Sequence, residues 1–169
     1  MKKIRQKTFE TNSSSTHSIT VNLKTPLIPI KDADLYVPIG EFGWEYETYG
    51  DITNLLSYLY TGILLSCEDE NDKSYIEKRQ HIEKLLAPYN INIKWQEPDF
   101  SNGYLEEGYI DHSDEILGFV EDMMNDDELL LKYIFNGIVQ TGNDNSDCYV
   151  EFNLRIAEDQ GYYYYYKGN

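Results

Sequence analysis

The chain is poor in basic residues. Its 14 lysines and arginines stand against 30 aspartates and glutamates, which gives a formal net charge of −16 at pH 7. A field of this sign repels nucleic-acid phosphates and anionic lipid, so we expect neither direct nucleic-acid binding nor membrane binding. The same field attracts a basic surface on another protein. An acidic surface also keeps a protein soluble without any partner, and that alternative stays open.

Cysteine and long apolar runs are scarce as well. Cys67 and Cys148 are the only two cysteines, and they form no Cys-x-x-Cys or Cys/His pattern. This spacing argues against a disulfide framework and against a structural zinc site. The longest apolar stretch, Ile52 to Leu65, contains polar residues and is too short to span a bilayer. The start of the chain lacks the apolar centre of a secretion signal. These absences predict a soluble cytoplasmic protein.

Hydrophobic spacing predicts strands and helices in a single domain over residues 1–169. Alternation predicts strands at Ile19 to Leu23, Leu35 to Ile39, Phe42 to Tyr46, Ile91 to Trp95, Gly137 to Thr141, Cys148 to Ile156 and Tyr162 to Tyr166. Leu27 to Ile30 is strand-like, but its proline suits an edge or a loop. Helical spacing predicts a helix at about Ile52 to Ser66, with Asp51 as its N-cap, and another at Lys73 to Ala87. It also predicts a helix that starts at Ser113 and one from Asp127 to Asn136, with Gly137 as its stop. This order favours an α+β fold with a mixed or antiparallel sheet and about four helices; α/β is the alternative.

The most unusual segment is Thr11 to Ser18, in which eight consecutive residues are small and polar or histidine. Its hydroxyls, amide and successive backbone N–H groups can hold an anion such as phosphate or carboxylate. The candidate ligand-binding residues here are Asn12, Ser13, Ser14 and Ser15. His17 is a candidate catalytic residue because an imidazole can give or accept a proton near neutral pH. A serine-rich turn explains the same residues, and no phosphate-loop pattern accompanies them.

A second polar block, Tyr109 to Ser113, contains two further candidate catalytic residues, Asp111 and His112. An aspartate can orient an imidazole, or the two can hold a divalent metal together. Adjacent residues of an extended segment point to opposite sides, however, and a helix start capped by Ser113 explains the block equally well. One histidine and one aspartate make no metal signature, so we predict no metal site.

A third polar block, Thr141 to Asp147, superficially resembles a calcium-binding loop. The required glycine and glutamate are replaced by Cys148 and Leu154, so a tight turn between strands is the better interpretation. Asp144 remains a candidate ligand-binding residue in case this turn lies close to the other polar blocks.

Four blocks resemble those of a group of proteins carried by phages and related low-GC Gram-positive bacteria. The blocks are Phe9 to Ser18, Glu41 to Glu45, Tyr109 to His112 and Thr141 to Asn145. Proteins of this group begin with an FETNSSSTHS-like sequence. The resemblance implies a phage or mobile-element setting and favours the convergence of the polar blocks in space. It assigns no catalytic role to any residue.

Charge and setting together predict an accessory protein that binds a host protein with a basic surface. A nucleic-acid-handling or defence protein fits, and occupation of its basic groove would inhibit it. The alternative is a small enzyme or anionic-ligand-binding protein that uses the Ser/Asn/His-rich N-terminal segment together with Asp111, His112 and Asp144. The sequence identifies no cofactor.

Overall fold

The computed structural model describes residues 15–43, 45–67, 72–100, 105–111, 116–143 and 161–167. In these ranges the strands are β1 (Ser15–Asn22), β2 (Ala33–Val37), β3 (Glu41–Phe42), β4 (Glu47–Tyr49), β5 (Ile91–Trp95), β6 (Tyr109–Ile110), β7 (Gly137–Asn143) and β8 (Tyr162–Lys167). The helices are α1 (Ile52–Leu65), α2 (Ser74–Leu86), α3 (Leu117–Asn125) and α4 (Asp127–Asn136), with a 3₁₀ turn at Ala87–Tyr89. Helices packed with a mainly antiparallel sheet confirm the predicted α+β fold class.

The largest sheet is antiparallel, with the strand order β4-β7-β1-β8. In β1, Ile19 lies opposite Val139 of β7 and Tyr165 of β8. Successive side chains of a strand point to opposite faces. One face of β1 is therefore directed into the protein, and its buried residues are Ser15, His17, Ile19 and Val21. This inner face changes from polar at the start of β1 to apolar towards its end.

Helix α1 occupies the centre of the core. Asp51 begins it as predicted, because its side chain accepts a hydrogen bond from the amide of Asn54 at 3.0 Å. Apolar residues cover nearly every side of the helix, and a helix of this kind is stable only when it is surrounded. It contacts β2, β6, β7 and the other three helices. Buried leucines such as Leu55 and Leu59 each contribute roughly 1.5–3 kcal/mol to this packing.

Helix α4 has the bounds that its sequence predicts, from Asp127 to Asn136. Asp126 caps it by accepting from the amide of Leu129 at 3.0 Å. The predicted end at Gly137 is confirmed, and this position requires glycine, because a Cβ there would lie 2.4 Å from the carbonyl oxygen of Tyr133. Gly137 then starts β7 without any intervening loop.

The smaller sheets differ in detail from the strands that the sequence predicts. The strand predicted at Phe42 to Tyr46 is wrong in its bounds: Phe42 ends β3, while Gly43, Glu45 and Tyr46 belong to no strand. β4 begins only at Glu47 and pairs with β7 of the large sheet, whereas β3 pairs in parallel with β6. β2 and β5 form a second parallel pair. Leu27 to Ile30, which is strand-like in sequence, belongs to no sheet. The predicted strand at Cys148 to Ile156 and the predicted helix start at Ser113 lie outside the described residues. None of the helices in the described ranges has the length and apolar content of a membrane span.

Candidate functional site

His17 is fully buried at the polar start of β1, and both of its ring nitrogens have partners. Its Nε2 lies 3.1 Å from the carbonyl oxygen of Gly43, and its Nδ1 lies 2.9 Å from the hydroxyl of Tyr58. A carbonyl oxygen can only accept, so Nε2 carries the proton. In the neutral imidazole Nδ1 is then an acceptor, and the Tyr58 hydroxyl donates to it. The ring thereby ties β1 to α1 and to the end of β3.

Tyr58 projects from α1 into the core, and in the sequence it lies among mainly apolar residues. Its ring packs edge to face against Phe42 at 4.8 Å between centroids and contacts Phe119 at 6.0 Å. Burial, with a smaller contribution from Tyr165, raises the pKa of Tyr58 well above its usual value. The hydroxyl therefore stays protonated and remains a donor to His17 through the neutral pH range.

Thr141 of β7 lies directly opposite His17 in the sheet. It is buried, and its hydroxyl donates to the carbonyl oxygen of Glu45 at 2.6 Å. Two side chains on neighbouring strands thus hold the backbone on either side of residue 44. We call Ser15, His17, Tyr58 and Thr141, with the carbonyl groups of Gly43 and Glu45, the His17 cluster.

The described parts of the four sequence blocks that carry the resemblance meet around this cluster. His17 and Thr141 come from the blocks that begin at Phe9 and at Thr141, and Gly43 comes from the block that begins at Glu41. The block that begins at Tyr109 joins through the pairing of β3 with β6, where the amide of Asp111 donates to the carbonyl oxygen of Phe42 at 2.9 Å. Extension of that register places Asp111 beside Gly43. Chain segments that are far apart in the sequence therefore come together at one end of the sheet.

Three of the predicted site residues are described, and they occupy this region. Ser15 and His17 are buried in β1, and Asp111 is half-buried directly after β6. The other candidates lie outside the described residues: Asn12, Ser13, Ser14, His112 and Asp144. The proposed catalytic and ligand-binding roles of all eight residues stay predictions.

Sequence reasoning missed Tyr58 and Thr141 as members of the cluster. For Tyr58 a signal was present, because a tyrosine inside a helix that is apolar on all sides needs a partner for its hydroxyl. The identity of that partner was not readable, since His17 lies 41 residues away along the chain. Within the described ranges no group of three or more histidine, cysteine, aspartate or glutamate side chains is placed to hold a metal ion.

In this arrangement the cluster positions backbone carbonyl groups. The His17 N–H holds the Gly43 carbonyl, and the Thr141 hydroxyl holds the Glu45 carbonyl, so these two backbone groups are held by side chains of the large sheet. For His17 to accept a proton from a substrate, its Nδ1 would first have to release the Tyr58 hydroxyl. A histidine with both nitrogens engaged in the core is more suited to orient backbone than to exchange protons.

A second region differs from this cluster in being exposed. Five carboxylates lie within the eight residues 121–128 at the junction of α3 and α4, and we call them the acidic surface: Glu121, Asp122, Asp126, Asp127 and Glu128. Several have contacts within the protein. His81 lies 2.9 Å from Asp127, and Lys132 lies 3.0 Å from Glu128. The hydroxyl of Tyr163 donates to Asp122 at 3.0 Å. Burial and this carboxylate raise the pKa of Tyr163 above its usual value.

No family model matches the chain, and comparisons with curated proteins and with solved structures also find no match. Two features of the molecule are therefore the basis for inferring its function: the buried His17 cluster and the exposed acidic surface.

Proposed function

We propose that the protein is an acidic accessory factor of a phage or mobile element that binds a basic surface of a host protein in the cytoplasm. The acidic surface is the observation that carries this proposal. Two adjoining helices hold its five exposed carboxylates, so their positions are set before a partner arrives. Preorganised charge of one sign speeds encounter with a surface of opposite sign.

The carboxylates outnumber the cations beside them. In the described part of the chain, Lys132 forms an ion pair with Glu128, and His81 lies 2.9 Å from Asp127. Contacts with exposed carboxylates of this kind contribute at most about 1 kcal/mol each. They leave the carboxylates able to exchange a partner within the fold for an arginine or lysine of another protein. The net charge of −16 adds a field of the same sign around the whole molecule.

A nucleic-acid-handling or defence protein suits this chemistry. Such proteins hold phosphates in grooves lined with lysine and arginine, and their affinity depends strongly on salt. Exposed carboxylates at the junction of two helices compete for the same side chains. Inhibition then follows from occupation of the groove and requires no catalysis by the acidic protein.

The test compares two matched variants that remove the same charge from different faces. Glu121→Gln/Glu128→Gln changes the acidic surface, whereas Glu41→Gln/Glu77→Gln changes exposed glutamates elsewhere. Host proteins retained at low salt and released at high salt are identified by mass spectrometry and purified, and their affinity is then measured directly. We expect the first variant to bind roughly fivefold more weakly than the second, since exposed charge pairs contribute up to about 1 kcal/mol. Equal affinities, or absence of any low-salt partner, would contradict the proposal.

The convergence of the described parts of the four blocks that carry the resemblance supports a second candidate function, a small enzyme or a protein that binds an anionic ligand. In this proposal the buried cluster fixes the backbone of a site to which Asn12, Ser13, Ser14, His112 and Asp144 would contribute. A ligand that binds the native state raises the melting temperature with the logarithm of its saturation. Thermal melts with phosphate, nucleotides and divalent metal ions provide the test. A shift in the wild type supports this candidate, and unchanged melts across all three sets count against it.

A further inference from the structure

Strand β4 is an edge of the large sheet, and its outer side pairs with none of the described strands. Only β7 lies beside it in the strand order. All residues from Glu45 to Asp51 are exposed, with the exception of Tyr49. An exposed edge strand presents unpaired N–H and C=O groups with which an extended chain can pair. Another strand can therefore be added to the sheet at β4.

The pairing within the large sheet determines which backbone groups of β4 face outward. The amide of Leu23, directly after β1, donates to the carbonyl oxygen of Gly161, directly before β8, at 2.9 Å. Odd-numbered residues of β1 therefore bond to β8, and even-numbered ones bond to β7, because successive residues of a strand bond to opposite sides. By the same rule the odd-numbered residues of β7 bond to β4, where Thr141 lies opposite Glu47. The N–H and C=O of Thr48 are thus directed away from the sheet.

The outward amides have no acceptor in the parts of the chain that the structure describes. The amide of Thr48 donates to no group there, and neither do the amides of Tyr46 and Gly50, which flank the strand. The Thr48 hydroxyl accepts from the side chain of Gln140 at 3.4 Å and does not cover the edge. The chain bends on both sides of the strand, at residues 45 and 51, so the segment that can pair with it is short.

Charge selects the kind of chain that can pair with this edge. From Asp32 to Asp72 the sequence contains no lysine, arginine or histidine. The exposed carboxylates of Glu45, Glu47 and Asp51 lie on and beside β4, and the neighbouring β7 and α1 contain no charged residue. A second copy of this chain would bring like charges together at the edge, which destabilises strand pairing. A basic segment brings lysine or arginine beside the carboxylates instead.

We propose that β4 binds an extended, basic segment of a partner protein as an added antiparallel strand. Thr48 and the partner residue opposite it exchange two hydrogen bonds in this arrangement. The next partner residue lies opposite Glu47 on the same face of the sheet, so a lysine or arginine there contacts the carboxylate. A long basic side chain two residues further on reaches Glu45. The recognised segment therefore alternates basic residues with residues of high β-propensity.

This edge and the acidic surface of α3 and α4 consist of different residues and recognise a partner differently. Side-chain carboxylates on helices provide the contacts of the acidic surface. At β4 the backbone provides hydrogen bonds that any sequence can make, and the carboxylates select among sequences. The hydroxyl of Tyr49 donates to the Glu47 carboxylate, which is thereby held beside the strand. The proposal for β4 does not rest on the acidic surface, so either can fail without the other.

Labelled hexapeptides that alternate lysine with threonine test the backbone pairing. In the proposed register only the threonine amides face β4, because the lysine side chains must lie beside Glu47 and Glu45. Fluorescence anisotropy with the full chain in about 0.05 M salt should give a Kd on the order of 0.1–1 mM. N-methylation of the threonines should weaken binding roughly tenfold, whereas N-methylation of the lysines, with the same charge and composition, should leave it unchanged. Equal binding of these two isomers, or no binding of the unmethylated peptide, would overturn the proposal.

Variants of the protein test the charge and the edge separately with the unmethylated peptide. Glu45→Gln/Glu47→Gln should weaken binding roughly fivefold, whereas Glu77→Gln/Glu106→Gln, which changes exposed glutamates elsewhere, should alter it less than about twofold. Thr48→Pro removes the outward N–H and should weaken binding roughly tenfold, while Thr48→Val keeps it and should bind as wild type does. Equal effects within either pair would exclude pairing at β4. If Thr48→Pro does not fold, the two methylated peptides still decide the question.

Discussion

The His17 cluster and the acidic surface use polar groups in opposite ways. In the cluster, buried polar groups are satisfied by one another, so each removal leaves a partner without its hydrogen bond. On the acidic surface, water can replace any contact that is lost. The polar residues on which this fold depends most are therefore not the charged ones. We also expect that stability and binding can be altered separately.

The largest expected loss of stability comes from His17→Ala. It removes a buried ring and leaves both the Tyr58 hydroxyl and the Gly43 carbonyl without a partner. We expect the free energy of unfolding to fall by roughly 3–5 kcal/mol. Urea denaturation followed by circular dichroism measures it. A loss below about 1 kcal/mol would mean that the cluster does not hold the fold as described.

The second prediction concerns alkaline pH and uses Tyr58. Its pKa is raised in the folded protein, while in the unfolded chain it is about 10. Above that pH the unfolded state loses the phenolic proton and the folded state keeps it, so stability falls as pH rises. The contribution of Tyr58 to this fall is about 1.4 kcal/mol for each pH unit above 10.

Tyr58→Phe provides the check on this prediction, because phenylalanine has no proton to lose. At neutral pH the variant should be less stable than wild type by roughly 1–2 kcal/mol, since Nδ1 of His17 loses its donor. Stability measured by urea denaturation between pH 9 and about 11 should then decline less steeply than in wild type. Parallel declines in the two proteins would show that Tyr58 ionises as easily in the fold as in water.

How far the sequence predicts this fold depends on the range of the interaction concerned. The bounds of α4 and the cap of α1 by Asp51 follow from neighbouring residues, and the structure confirms both. The strand predicted at Phe42 to Tyr46 is wrong in its bounds, because local spacing does not separate β3 from β4. The two strands pair with different partners, β6 and β7, which lie far along the chain. Local alternation is the same in both cases and cannot choose between sheets.

The candidate site shows the same limit. The polar segment Thr11 to Ser18 marks His17 as unusual. The strand that is predicted directly after this segment indicates that one face of the strand is buried. Its partners Gly43 and Tyr58 lie 26 and 41 residues away. Their contact with His17 depends on the packing of α1 against the sheet, which no local pattern specifies. The sequence thus indicates the site's first residue and leaves its surroundings to the tertiary fold.

Asp126 belongs to the acidic surface and also caps α4, so its variants separate the two roles. Asp126→Ala removes the acceptor for the Leu129 amide and should cost about 1 kcal/mol of stability. Asp126→Asn keeps an oxygen acceptor and removes the charge, so its stability should lie within about 0.5 kcal/mol of wild type. Thermal or urea unfolding of both variants gives the comparison. If Asp126→Asn is as damaging as Asp126→Ala, the charge and not the cap stabilises the helix start.

We expect the smallest change in stability for Glu121→Gln, which contrasts most directly with the large loss expected for His17→Ala. Glu121 is exposed on α3, and glutamine has a similar shape and similar helix propensity. The free energy of unfolding should stay within about 0.5 kcal/mol of wild type, because water solvates either side chain. Binding to a basic partner should nevertheless weaken by about two- to threefold at low salt, and the difference should vanish as salt rises. Affinity titrations at several salt concentrations, beside urea denaturation, make both measurements on one variant. If the free energy of unfolding changes more than the free energy of binding, Glu121 acts mainly in stabilising the fold. The distinction between the acidic surface and the His17 cluster would then not hold at this position.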